Sequence, residues 1–127
     1  MNEHPRILVV EDHPLNRKLV RDVLQAAGYE VVEATTGEEG LTAVETAPPD
    51  LVLMDLQLPG IDGTETLHRM REGLLDPSVP VVAVTAFAMP SDRAGAAEAG
   101  FDGYVEKPIS VRALPAQVRS YLDGAGS

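Results

Sequence analysis

Acidic, hydroxyl and cationic residues stand where short apolar runs of the sequence end. Glu11 and Asp12 follow the first apolar run, Asp55 and Thr85 close two later ones, and Lys107 follows a weaker run near the end of the chain. These positions lie far apart in the sequence, so only the fold can bring their side chains together. If they converge, three carboxylates share one pocket with an ammonium group and a hydroxyl group.

Three carboxylates in one pocket would repel one another. At a separation of about 4 Å, two such charges repel by about 4 kcal/mol at an effective dielectric constant of about 20, so the group must take up protons or bind a cation. Oxygen ligands without histidine or cysteine favour a hard divalent ion, above all Mg²⁺, which phosphate oxygens then complete. The residues therefore predict a phosphate site that works through its metal, with Lys107 as a second positive charge and Thr85 as a hydroxyl donor.

Short, branched apolar runs predict the strands that would carry these residues. Residues 7–10, 51–54 and 81–84 are too short for helices and too uniformly apolar for a sheet with one face in water. They fit strands buried on both faces, as in parallel sheets. The more polar runs 30–34 and 102–105 predict strands at the sheet edges.

Segments with helical spacing follow each of these runs, because apolar residues recur there at intervals of three and four. The fourth is rich in alanine and should bury little area. Five repeats of strand and helix predict an α/β fold, a five-stranded parallel sheet with helices on both faces in three layers. The first helix is expected over residues 14–27 and should stop at Gly28, and the second should be capped by Thr36 or Thr35 and end at Pro48-Pro49. The third should start at Gly63 and end at Asp76-Pro77, and the fourth should cover residues 91–99. The fifth should be capped by Ser110, with a start that is delayed or kinked by Pro115.

Composition narrows the function further. The chain has 127 residues, which suits one domain, with a core over about residues 5–123 and a flexible tail over 124–127. A net charge of −10 and the absence of tryptophan disfavour nucleic acid and anionic membranes as direct partners. No apolar stretch approaches a transmembrane helix or a signal-peptide core, so we expect a cytoplasmic protein. The loop after the first strand lacks the glycines of nucleotide-binding loops.

Four motifs, taken together and in order, resemble the receiver domain of two-component response regulators. They are Val10-Glu11-Asp12, LMDLQLPG at residues 53–60, Val84-Thr85-Ala86, and YVEKP at residues 104–108. The resemblance covers roughly residues 5–123 and is strongest to stand-alone receivers of the DivK type and to receivers attached to hybrid kinases. It implies a flavodoxin-like, CheY-like fold and a protein that signals rather than an enzyme with an external substrate.

The resemblance also implies a role for each site residue. Asp55 would accept a phosphoryl group from a histidine kinase, a histidine phosphotransfer protein or a small acyl phosphate. Asp12, Asp55 and the backbone carbonyl of Gln57 would hold Mg²⁺ or Mn²⁺, with Glu11 acting directly or through water. Thr85 and Lys107 would each bind a phosphoryl oxygen after transfer.

Signalling would then depend on a change of surface. Tyr104 matches the switch aromatic of the family, which turns inward when Thr85 is drawn toward the phosphoryl group. The face formed by the fourth helix, fifth strand and fifth helix would be the one that a downstream protein reads. A half-buried edge tyrosine without a switch role would explain Tyr104 nearly as well.

Several alternatives stay open at this stage. The chain could be an interaction module that is never phosphorylated, a fragment of a hybrid kinase, a relay shuttle or a small metal-dependent phosphohydrolase. Since it stops just after the fifth helix, we expect no output domain.

The remaining candidate residues have weaker patterns. The histidines at 4, 13 and 68 are not spaced as metal ligands. Arg17, Lys18 and Arg21 form either a solvated helix face or part of a docking surface for the phosphodonor, and Phe87 stands where family members vary the access of water.

Overall fold

The sheet is built from five parallel strands in the order β2-β1-β3-β4-β5. The computed structural model describes residues 4–58, 60–86 and 90–123, with the backbone alone for residues 90–94. The two more polar strands lie at the edges, as the sequence predicts, and the apolar strands lie between them. The strands are β1 (Arg6–Val10), β2 (Glu30–Ala34), β3 (Leu51–Asp55), β4 (Val81–Thr85) and β5 (Gly103–Glu106).

Alternate strand residues face two separate hydrophobic clusters, which places helices on both sides of the sheet. One cluster joins the sheet to α2, α3 and α4, and the other joins it to α1 and α5. Every residue of the central strand β3 is buried, which explains its uniformly apolar sequence before Asp55. The helices are α1 (Pro14–Ala26), α2 (Gly37–Thr46), α3 (Gly63–Arg71), α4 (Pro90–Ala99) and α5 (Leu114–Leu122). The predicted α/β fold, a five-stranded parallel sheet with helices on both faces in three layers, is confirmed.

Side chains at the helix starts explain several boundaries. The Oγ1 atom of Thr36 accepts a hydrogen bond from the backbone N–H of Glu39 at 3.0 Å, so Thr36 rather than Thr35 caps α2. An oxygen of Asp62 accepts from the N–H of Glu65 at 2.9 Å and caps α3. Each cap satisfies a backbone donor that the first helical turn leaves without a partner.

Two predicted helix boundaries are wrong. The third helix ends at Arg71 rather than at Asp76-Pro77, and Gly73 follows with a φ of +113°, a conformation that turns the chain out of the helix. The fifth helix starts at Leu114, the late start that Pro115 predicts, but Ser110 does not cap it. Instead the Oγ of Ser110 accepts from the N–H of Ala113 at 3.1 Å in the preceding turn.

The late start of α5 also changes the place of one predicted helix residue. Val111, expected inside the fifth helix, precedes it and is 54% exposed. Among the side chains of α4 that the structure describes, Ala96 is buried in a core cluster and Ala99 packs against it. Within the described residues, no helix is both long enough and apolar enough to cross a membrane. The predicted tail at 124–127 lies outside the described residues.

Candidate functional site

The carboxyl edge of the sheet brings the predicted site residues to one place. Glu11 and Asp12 directly follow β1, Asp55 ends β3, and Thr85 ends β4. The register pairs Asp55 with Val84, so Thr85 stands one residue beyond the partner of Asp55 on the neighbouring strand. Lys107 comes directly after β5 and reaches back toward the acids.

Three carboxylates converge at this edge. Glu11, Asp12 and Asp55 each offer a carboxylate oxygen, and these oxygens all lie within 4.8 Å of one another. Glu11 and Asp55 are each 4% exposed, whereas Asp12 faces solvent. The donor set consists of oxygen atoms and is open on one side, which fits a hard divalent cation such as Mg²⁺ that keeps part of its water shell.

Lys107 supplies the positive charge within the cluster. Its Nζ atom lies 3.0 Å from Oδ2 of Asp55 and 3.2 Å from Oε1 of Glu11. Burial on its own would lower the pKa of Lys107, but the hydrogen bonds and charges of Asp55 and Glu11 raise it above its ordinary value. The ammonium group is therefore firmly protonated and holds the two buried carboxylates together.

One positive charge does not neutralise this group of acids. Burial, followed by the hydrogen bond and the charge of Asp55, raises the pKa of Glu11 from 4.5 to about 7. The N–H of His13, 3.2 Å from Oε2 of Glu11, and the charge of Lys107 oppose that rise. Without a metal, the cluster therefore holds a proton on Glu11 through the acidic range, which is one of the two solutions that carboxylate repulsion requires.

The loop after β3 fixes the other oxygen of Asp55. The backbone N–H of Gln57 donates to Oδ1 of Asp55 at 2.9 Å, while Oδ2 faces Lys107. The loop is closed by a hydrogen bond from the N–H of Gly63 to the carbonyl of Leu56 at 3.3 Å. A Cβ atom on Gly63 would lie 2.6 Å from the carbonyl oxygen of Asp55, so only glycine permits this close approach.

Thr85 and Tyr104 lie on the same side of the sheet. Thr85 is buried, and Ala83, two residues before it, pairs in register with Tyr104. Residues two apart on a strand share a face. The half-buried Tyr104 packs against the cluster that contains Ala83. In the register Tyr104 lies opposite the small side chain of Ala83 and diagonally across from Thr85.

A groove borders the site on the side of α1 and the loop after β5. It has a volume of about 310 Å³ and is lined by Asn16, Leu19, Ala86, Lys107, Pro108 and Ile109. The Lys107-Pro108 peptide bond in its wall is cis. Leu15, at the start of α1, is 72% exposed. An apolar surface therefore lies directly beside the acidic cluster.

The basic residues of α1 divide into two groups. Lys18 pairs with Asp22 at 2.8 Å on the helix surface, which is the solvated face that the sequence suggests. Arg21 pairs with Asp22 and with Glu33. Arg17 differs, because it also donates to the backbone of the acidic loop, a contact that helical spacing does not reveal.

The histidines have other partners. The ring of His13 accepts from the N–H of Asn16 at the start of α1, His68 lies 3.2 Å from the carbonyl of Ala99, and His4 lies 2.9 Å from the carbonyl of Gly28. Among the described residues, the one acidic or histidine cluster able to hold a metal contains none of them. Phe87 lies outside the described residues.

Comparisons with known proteins agree with this geometry. Residues 7–119 match the family described as the response regulator receiver domain. The chain is 40% identical over 119 residues to the polar-differentiation response regulator DivK of Brucella ovis, and the match covers 94% of this chain and 97% of that protein. The chain is thus similar to a relative of nearly its own length.

Solved structures show the same similarity. A CheY-like response regulator receiver domain protein from Methanospirillum hungatei superposes with a TM-score of 0.85 at 33% identity, covering 95% of each chain. A putative response regulator from Chloroflexus aurantiacus gives a TM-score of 0.88 at 33% identity, over 94% of this chain and 98% of that one. The chemotaxis response regulator CheY4 of Vibrio cholerae gives 0.86 at 27% identity, over 91% and 97%.

Proposed function

Because the chain belongs to the family of response regulator receiver domains, we propose that Asp55 accepts a phosphoryl group from the phosphohistidine of a histidine kinase or a histidine phosphotransfer protein. The observation that carries the proposal is the environment of Asp55. Its carboxylate is buried at the carboxyl edge of the sheet, 3.0 Å from Lys107 Nζ and in one cluster with Glu11 and Asp12. The family consists of signalling domains rather than of classical enzymes.

In the proposed transfer, a carboxylate oxygen of Asp55 attacks the phosphorus atom of the donor. The new oxygen–phosphorus bond forms as the phosphorus–nitrogen bond breaks, and the bonding electron pair returns to the imidazole ring. The product is an acyl phosphate on Asp55 and a histidine without its phosphoryl group. Phosphoryl transfer depends mainly on positioning and on neutralising charge. Buried Asp55 and Lys107 would supply the positioning, and Lys107 together with a bound cation would supply the neutralisation.

We assign the charge neutralisation to particular residues. Asp12, Asp55 and the backbone carbonyl of Gln57, with Glu11 acting directly or through water, would hold Mg²⁺ or Mn²⁺. When bound, the metal neutralises the carboxylates and the incoming phosphoryl oxygens. Lys107, already 3.0 Å from Oδ2 of Asp55, would pair with one phosphoryl oxygen, and the Thr85 hydroxyl would donate to another.

The output is proposed to be a change in the surface formed by α4, β5 and α5. Movement of Thr85 toward the phosphoryl group would open space beside Ala83, into which the Tyr104 ring could turn. This explanation is supported by the shared face of Thr85 and Tyr104 and by the half-buried state of the ring. A downstream protein would then bind the altered surface. The donor would dock at the start of α1, on the groove that Leu19 lines and on the exposed side chain of Leu15.

Intact-mass measurement after incubation with acetyl phosphate tests the proposal. Wild type and Asp55→Asn are compared with Mg²⁺ and with a chelator. We expect one phosphoryl adduct that requires Mg²⁺, is removed by hydroxylamine as an acyl phosphate should be, and is absent from the variant. Asp12→Asn should form the same adduct more slowly and require more Mg²⁺.

The opposite results have defined meanings. An adduct that persists in Asp55→Asn would show that another residue is the acceptor. The absence of both an adduct and Mg²⁺ binding would favour an interaction module that works without phosphorylation. Repeated release of phosphate from an external ester by Asp55→Asn would favour a phosphohydrolase.

A further inference from the structure

The guanidinium group of Arg17 joins α1 to the acidic loop and to a neighbouring strand. Its Nη1 atom donates to the backbone carbonyl of Glu11 at 3.1 Å and to that of Asp12 at 3.4 Å. Its Nε atom lies 3.3 Å from Oε1 of Glu33 on β2. We propose that Arg17 is a positioning residue that holds the Glu11-Asp12 backbone so that both carboxylates face one cation. This inference rests on the proposed metal-binding role of the cluster.

The acidic loop needs such support because it follows the end of a strand. The N–H of Glu11 still bonds to the carbonyl of Ala34 on β2 at 3.0 Å, which fixes the start of the loop. Asp12 is exposed and lies beyond that last ladder bond. Arg17 contacts the carbonyls of both acids, and its side chain is only 21% exposed, so it extends the support from Glu11 to Asp12.

The shape of the guanidinium group suits this task. Its donors are held in one plane and point in different directions, so a single group can pair with Glu33 and bridge two carbonyls. A lysine ammonium carries the same charge on a flexible stem as a compact point. Arg17→Lys should therefore keep the charge and the helix propensity of the position but lose the bridge.

Positioning and charge predict opposite effects on metal binding. A positive charge near the carboxylates repels a divalent cation, so removing that charge alone would tighten metal binding. Removing the support that Arg17 gives to the acidic loop would weaken metal binding. Changes in residues that orient metal ligands typically cost about 10-fold to 100-fold in affinity.

Arg21 provides a matched control. It stands on the same helix and pairs with the same Glu33, with Nη1 3.4 Å from Oε2, and its other described partner is Asp22. Arg21→Met removes an equal charge and an ion pair to Glu33 while leaving the bridge from Arg17 to Glu11 and Asp12 in place.

The experiment measures the dissociation constant of Mn²⁺ by calorimetry, and that of Mg²⁺ by competition, for wild type, Arg17→Lys, Arg17→Met and Arg21→Met. Thermal unfolding first verifies that each variant is folded. We expect both Arg17 variants to bind the metal about 10-fold or more weakly, and Arg21→Met to bind no more weakly than wild type. Phosphorylation of Arg17→Lys should need more Mg²⁺ but reach the wild-type rate at saturation. Wild-type affinity in Arg17→Lys, or tighter binding in Arg17→Met, would overturn the proposal.

A second measurement works without metal and separates this inference from the proposed function. The backbone amide of His13 donates to Oε2 of Glu11, so its hydrogen exchange reports the order of the acidic loop. Exchange should be faster in Arg17→Lys and unchanged in Arg21→Met. If the wild-type protein bound no metal, the proposed metal-binding role of the acidic cluster would be wrong. Equal exchange rates in all variants would instead show that Arg17 does not hold the acidic loop.

Discussion

The Nζ atom of Lys107 lies 3.0 Å from Oδ2 of Asp55, although the two residues are 52 positions apart in the sequence. The same ammonium group lies 3.2 Å from Oε1 of Glu11. Lys107 thus already occupies the place from which it could pair with an oxygen of a phosphoryl group on Asp55. A preorganised charge of this kind costs little reorganisation at the moment of transfer.

Lys107→Met should therefore impair phosphorylation strongly. Loss of a donor aimed at developing charge typically slows a reaction by about 100-fold or more, and we expect a decrease of about that size in the rate of adduct formation from acetyl phosphate. Lys18, the other lysine of the chain, is a matched control because it pairs with Asp22 on the surface of α1. Equal rates for Lys107→Met and Lys18→Met would contradict the role assigned to Lys107.

Glu11 should make the stability of the metal-free protein depend on pH. Its pKa is raised from 4.5 to about 7 in the folded state, mainly by burial and by Asp55. The folded state therefore binds this proton more tightly than the unfolded state. The resulting stabilisation is complete below pH 4.5 and is lost as the pH rises to about 7. The expected decrease in the free energy of unfolding is at most about 3 kcal/mol.

Urea unfolding in the presence of a chelator at several pH values between 4.5 and 8 tests this prediction. Glu11→Gln removes the titrating group and should flatten the profile in that window. Saturating Mg²⁺ should raise stability more at pH 8 than at the acidic end, because it replaces the proton as the counter-charge. Parallel profiles for wild type and Glu11→Gln would show that another group is responsible.

Gly63→Ala should destabilise the domain and disturb the acceptor. The new Cβ would lie 2.6 Å from the carbonyl oxygen of Asp55 and 2.9 Å from the Cα of Leu56, both backbone atoms that cannot rotate away. Overpacking of this kind costs about 1–3 kcal/mol. We expect a lower midpoint in urea and slower formation of the phosphoryl adduct.

Gly95→Ala replaces a glycine where a larger side chain should cause no steric clash, unlike Gly63→Ala. Gly95 lies in α4, and among the described residues a Cβ there would meet no atom within 4 Å apart from the backbone of its own helix. Alanine is favoured over glycine in a helix by about 0.5–1 kcal/mol, so this variant should be slightly more stable with unchanged phosphorylation. Similar losses in both variants would show that glycine-specific packing at Gly63 is not the cause.

Much of this architecture could be predicted because its causes are local in the sequence. The buried strands show as uninterrupted apolar runs, and Gly28, with a φ of +96°, ends α1 where expected. The convergence of Asp55 and Lys107 follows from the parallel topology, since side chains at the carboxyl ends of such strands meet at one edge. The pattern therefore predicted both the fold and the set of residues that the fold brings together.

The features that could not be predicted depend on backbone conformation and on the packing of elements, which the spacing of apolar residues does not reveal. The end of α3 depends on where Gly73 turns the chain, and the pattern of apolar residues continues past that point. The bridge from Arg17 to the carbonyls of Glu11 and Asp12 depends on how α1 packs beside β2. In the sequence, Arg17 differs little from Lys18, which remains on the surface.

Thr85→Ala should separate phosphorylation from its proposed output. Thr85 is buried at the end of β4 and does not belong to the acidic cluster, so the variant should still form the adduct on Asp55. It should not transmit the change to Tyr104, because the hydroxyl group that would move toward the phosphoryl group is absent.

Fluorine NMR of protein carrying fluorotyrosine can measure this separation. The chain has three tyrosines. Tyr29 is buried, and the hydroxyl oxygen of Tyr121 accepts a hydrogen bond from the backbone N–H of Tyr104 at 3.3 Å, so the signal that Tyr104→Phe removes identifies Tyr104. Phosphorylation should shift the Tyr104 resonance in wild type and leave it nearly unchanged in Thr85→Ala. Thr85→Ser retains the hydroxyl group and should restore the shift. A full Tyr104 shift in phosphorylated Thr85→Ala would mean that the ring responds through another path, and the coupling assigned to Thr85 would have to be abandoned.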